Sequence, residues 1–141
     1  MAKLDGLIRI QKHRVDEKQK ILARLYREQE TYDKQKRDKI DQITNEKRVA
    51  ENMANDVLMQ LSLSNFIAAA NDAIEKLNDK IEKVKTRINL AQDDIRIAFE
   101  DLKKTEIVDR TRKAKERKER EKKEIDELNE IGLENHRRKN S

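Results

Sequence analysis

From Ile67 to Leu102, apolar residues recur at alternating intervals of three and four: Ile67, Ala70, Ile74, Leu77, Ile81, Val84, Ile88, Ala91, Ile95, Ala98 and Leu102. All eleven positions of this series are apolar in a chain that is only 35% hydrophobic. The spacing puts them on one narrow stripe of an α-helix, and an aliphatic stripe in water must lie against something. Beyond Leu102 the series reads Thr105, Asp109, Arg112 and Glu116, so the apolar stripe stops there.

A candidate partner lies upstream. The first 60 residues carry a weaker series of Leu4, Ile8, Val15, Leu22, Leu25, Tyr32, Ile43, Ala50, Met53 and Val57, interrupted by Gln11, Lys18, Gln29, Lys36, Lys39, Glu46 and Gln60. Ten apolar positions of seventeen still indicate an amphipathic helix. Between the two seams SLSN, residues 62–65, reads as the reversal, with Ser64 or Asn65 capping the second helix. The expected fold is all-α: two long helices forming an antiparallel coiled-coil hairpin. Helix 1 would cover about 3–61, the turn about 62–65 and helix 2 about 66–135 with a basic C-terminal overhang. Folding back there pairs Ala50 with Leu77, Ile43 with Val84, Tyr32 with Ile95 and Leu25 with Leu102. A competing arrangement uses Ile67, Ile74, Ile81, Ile88 and Ile95 as the β-branched column of a parallel homodimer. Ala70, Ala91 and Ala98 in the alternate column weaken that dimer.

Composition removes most other folds. Charged residues make up 45% of the 141, with no Pro, two Gly, no Trp and no Cys. A compact globule of this length needs more large apolar side chains, and Pro and Gly to turn its corners. No apolar run approaches the ~18 residues of a membrane span, and the opening MAKLDGLIRI lacks the long apolar core of a secretory signal. A cytoplasmic protein is expected, and the lack of Cys fits a reducing compartment.

Charge is unevenly spread. Residues 1–25 carry +4, residues 103–141 another +4 and residues 26–102 carry −3, so a hairpin would gather about +8 at its open end. The densest run, RTRKAKERKEREKK at 110–123, holds nine basic residues and three acids. One reading is a solvated helix supported by i,i+4 pairs: Arg112–Glu116, Lys115–Glu119, Glu116–Arg120, Arg117–Glu121, Glu119–Lys123 and Arg120–Glu124. That reading leaves room for an acidic partner. Nucleic acid is disfavoured: no aromatics interleave with the basic residues, acids interrupt the run, and no leucine zipper follows it. A protein socket lined with carboxylates fits better. At the opposite end Met59, Leu61, Leu63, Phe66, Ala69 and Ala73 add apolar surface that a two-helix seam cannot wholly bury.

Catalysis has no support in the sequence. His13 and His136 lie near opposite termini without metal-ligand spacing around them, and Gly6 and Gly132 are the only glycines, so no phosphate loop exists. No catalytic residue, metal or cofactor is expected.

With a hairpin, a short turn and a basic open end, the sequence resembles the FliJ family of flagellar type III export components. The resemblance is strongest at NFIAAANDAIEKLNDKI, residues 65–81, similar to the family's Phe-Ile pair followed by apolar residues at helical spacing. The tail KKEIDELNEIGLENHRRK, residues 122–139, is similar to the family's pattern of acids, an apolar pair and closing basic residues. The resemblance implies a non-enzymatic cytoplasmic protein, a monomer when alone. It would associate peripherally with the inner face of the cell membrane through its partners: the export ATPase ring, the export gate membrane protein and export chaperones. It implies an open end that enters the ATPase ring, and so a binding role for Arg9, Lys12, Arg110, Arg112, Lys113, Arg117 and Arg120. It also implies gate binding by an apolar face near the start of the second helix, where Phe66 and Ala73 match the pattern and Ala70 and Leu77 occupy its remaining positions. Injectisome stalk proteins share this architecture.

Overall fold

Two helices account for nearly the whole chain: α1, Ala2–Glu51, and α2, Val57–Asn140. The computed structural model describes residues 2–140, and among them there is no strand. The expected all-α hairpin is the observed fold, with two long helices packed on each other and the chain reversing between them.

The reversal is not where the sequence placed it. SLSN at 62–65 lies inside α2, and the turn is formed by residues 52–56. Asn and Asp side chains suit such a turn because they supply local hydrogen bonds in place of helical ones. Asp56 is the N-cap of α2, in place of Ser64 or Asn65: its Oδ1 accepts from the backbone N–H groups of Leu58 and Met59, each at 3.1 Å. Gln60 closes the other half of the turn. Its Nε2 donates to the carbonyl oxygens of Ala50 at 3.2 Å and Met53 at 3.4 Å, so a side chain of α2 adds a second hydrogen bond to carbonyls that also accept from the backbone N–H groups of Met53 and Asp56. Among the described residues none has positive φ, so the reversal needs no glycine.

Gln60 and Leu63, both half-buried, continue the seam of α2 upstream of Ile67 at the same 3-4 spacing. Met53 and Val57, assigned to the first seam, instead sit in the turn and at the first position of α2, both exposed.

The chain divides into two units. In the unit of residues 16–96, Leu25, Val84, Ile88 and Ala91 form a buried cluster with Leu22 and Tyr32 packed against it. Val84 is 1% exposed, and burying a valine side chain stabilises by roughly 1.5–3 kcal/mol. Around this cluster Arg87 Nη1 donates to Glu28 Oε1 at 3.2 Å, Gln92 Nε2 donates to the Tyr26 hydroxyl at 2.7 Å, and Lys80 Nζ lies 5.7 Å from the Tyr32 ring centre. In the unit of residues 2–15 and 97–140, Val15, Ala98 and Leu102 cluster, with Ile8 packed on them.

These clusters correct the register. Leu25, expected opposite Leu102, clusters with Ile88, fourteen residues earlier, and Leu102 clusters with Val15. Fourteen residues is two heptads, so the same stripes still face each other, displaced along their length. The polar interruptions of the first seam are half-buried at Gln11, Lys18, Gln29, Lys36 and Lys39, and Gln11 Oε1 is buried without a hydrogen-bond partner. Glu46 is exposed.

Candidate functional site

Chain reversal brings the two basic segments together. Residues 2–15 and 97–140 carry the entire net charge of +5, while residues 16–96 hold equal numbers of acids and bases. Packing between the helices continues past the apolar stripe, through half-buried Thr105 to Asp109, which is 7% exposed. A carboxylate so buried needs a cationic partner. Lys113, one turn on, supplies it: its Nζ lies 3.0 Å from Asp109 Oδ2 and 3.3 Å from Asp5 Oδ1 at the start of α1. Hydrogen bonds to Asp109 and then Asp5, with the accompanying attraction of both carboxylates, hold the Lys113 ammonium above its ordinary range. Lys113 therefore ties α1 to α2 and is partly occupied by its own chain.

The other basic residues assigned to ring binding, Arg9, Lys12, Arg110, Arg112, Arg117 and Arg120, are exposed. Arg110, Lys113, Arg117 and Arg120 follow at intervals of three, four and three, so they share one face of α2; Arg112 lies off it, in line with the seam. None of the six i,i+4 pairs expected over 112–124 closes within 4.0 Å among the described residues. An exposed pair of long charged side chains gains only about 0–1 kcal/mol over separate hydration, too little to hold every such pair closed. From Arg117 to Asn140 every residue of α2 is exposed.

The set assigned to gate binding does not stay together. Ala70 and Leu77 are 5% and 8% exposed and belong to the core between the helices, because they are members of the α2 seam itself. Burial leaves both with little surface to offer, which corrects the expectation for those two residues, although Leu77 lines the same groove as Ala73. Phe66, beside the seam, is 36% exposed and lines a cleft with Glu46, Ala50, Met59 and Leu63; Ala73 is half-buried in a groove with Gln35, Asp38 and Lys76.

Sequence reasoning missed the most exposed apolar side chains. Val57 and Leu58 in the first turn of α2 are 80% and 77% exposed, with Leu61 beside them. A signal for this region existed: residues 49–75 contain no Lys or Arg, in a chain with 34 of them.

His13 and His136 are both exposed, and His136 Nε2 lies 3.0 Å from Asn140 Nδ2. Among the described residues no group of three or more His, Cys, Asp or Glu is placed to hold a metal ion. Among them, too, no helix is long and apolar enough to cross a membrane. Comparison with protein-family models, curated proteins and solved structures gives no match.

Proposed function

We propose that this chain is a non-enzymatic component of the bacterial flagellar type III export apparatus, a stalk-like coiled coil linking the export ATPase ring to the export gate and to substrate chaperones. The observation that carries the reading is the gathering of the whole net charge of +5 in the unit that contains both ends of the chain, with Arg9, Lys12, Arg110, Arg117 and Arg120 exposed on it. A ring opening lined with carboxylates would hold such a surface by many weak, salt-screened contacts that steer entry without fixing a single pose. The gate contact in this proposal rests on Phe66 and Ala73, since Ala70 and Leu77 are consumed by the core. A scaffold dimerised through the isoleucine column is disfavoured by the same packing, because Ile81 and Ile88 are already buried inside the hairpin.

The test is co-precipitation of an export ATPase by the intact chain, compared with a variant in which Arg112, Arg117 and Arg120 are all replaced by Glu. Capture should fall at least severalfold at low salt, and the difference should shrink as salt is added, with helicity unchanged. Equal capture by both proteins would refute the socket. Failure of the unaltered chain to retain any export ATPase would refute the export assignment itself.

A further inference from the structure

The exposed end of α2 changes sign twice. Residues 117–123 hold five basic residues and two acids; residues 124–134 hold five acids and no Lys or Arg; Arg137, Arg138 and Lys139 follow. The acidic segment also carries large apolar side chains in water: Ile125 is 57% exposed, Leu128 67%, Ile131 55% and Leu133 61%. At 100° per residue Ile125, Leu128 and Ile131 fall within a 120° arc that also takes in Gly132 and, at the start of the segment, Glu124, while Asp126, Glu127, Glu130, Glu134 and Leu133 lie outside it. Nothing within 4 Å would meet a Cβ placed on Gly132, so the arc is open at that position. Glu134 is paired with Arg138 at 3.6 Å; no Lys or Arg is interleaved with the other four carboxylates.

We infer that residues 124–134 are a docking helix for a protein partner that offers an apolar groove rimmed by Lys and Arg. The inference does not depend on the proposed export role, and it concerns residues beyond the basic stripe that the socket would hold. Two features select this occupant. Five carboxylates with no base among them are repelled by an anionic membrane and by the same segment of a second copy, and attracted by a basic rim. Three aliphatic side chains also bury far less than the ~800 Å² per partner of a stable protein interface when set against an equally narrow helix. A groove that wraps the helix gathers more contact from the same residues, as helix-in-groove recognition does.

The test places a photoreactive amino acid at Leu128 of the full chain, and at Asp126, on the far side of the helix from Leu128, as a control, in cells that produce the protein. Irradiation should give a protein adduct from Leu128 and at least tenfold less from Asp126. Mapping of the crosslinked peptide should locate it in an apolar groove bordered by Lys or Arg. Glu127→Lys with Glu130→Lys should reduce the Leu128 adduct severalfold, with circular dichroism unchanged. In parallel the purified chain should not sediment with vesicles of phosphatidylcholine and phosphatidylglycerol. An adduct to a second copy of the chain, sedimentation with the vesicles, no adduct at Leu128, or an adduct indifferent to the charge reversal would each overturn the inference.

Discussion

Individual side chains in this molecule divide into those that hold the helices together and those left for partners, and burial separates them. Val84 is the most deeply buried large side chain. Val84→Ala removes two methyl groups from a packed seam and should cost about 2 kcal/mol. A shift in the urea midpoint with an unchanged slope would register the loss. Lys113 is the opposite case, an exposed cation whose importance is local. Its raised pKa means that its contribution to stability is fully present below the ordinary lysine value of 10.5 and is lost as pH climbs through the higher folded-state value. The stability gap between the unaltered protein and Lys113→Gln should therefore persist at neutral pH and close above pH 10.5, as followed by urea titrations at both extremes. A gap constant across that range would show that the Asp5 and Asp109 contacts do not govern it. Ala70 and Leu77 show how a site can be misread at this scale. The same 3-4 spacing that made them resemble a binding face placed them in the core, because a periodic stripe identifies a buried face without saying what buries it.

At the scale of the element, helix existence was legible and the helix end was not. All eleven positions of the α2 series are buried or half-buried, and so is every position of the α1 series from Leu4 to Ile43. The turn lacked the Gly or Pro that usually marks one, and the Ser-rich stretch at 62–65 drew the boundary away from Asn52, Asn55 and Asp56. Two sequence signals argued for the true place: the Asn/Asp cluster itself, and the continuation of the α2 seam through Leu63 to Gln60. Ser and Asn are tolerated in a long helix whose stability comes mainly from packing. Proline distinguishes the two boundaries sharply. Ser64→Pro falls two turns inside α2, where it removes a helical hydrogen bond and collides with the preceding turn, and it should destabilise by about 3 kcal/mol or more. Thermal unfolding followed by circular dichroism measures this, and a variant as stable as the unaltered chain would return the reversal to 62–65.

For the whole molecule, the sequence specified the partner stripes and left their displacement open. A heptad pattern is nearly indifferent to sliding by seven or fourteen residues, so only the turn fixes which heptads meet. Moving the turn from 62–65 to 52–56 accounts for the two-heptad displacement of Leu25 and Leu102 and for the long exposed end of α2. Charge partition survived that correction because it depends on the antiparallel direction and only weakly on register: Asp5 meets Lys113 in the same unit that carries the net charge. The most direct measurement is a pulsed-EPR distance between spin labels at positions 10 and 107, where Ile10 and Ile107 are 58% and 54% exposed. The labelled chain is diluted tenfold with unlabelled protein so that only distances within one molecule contribute. Helices packed side by side have axes ~10 Å apart, so a short distance dominated by the label linkers is predicted. A chain that continued as one uninterrupted helix would place the labels roughly 145 Å apart at ~1.5 Å per residue, beyond the range of the method, and loss of the short-distance signal on dilution would contradict the intramolecular hairpin.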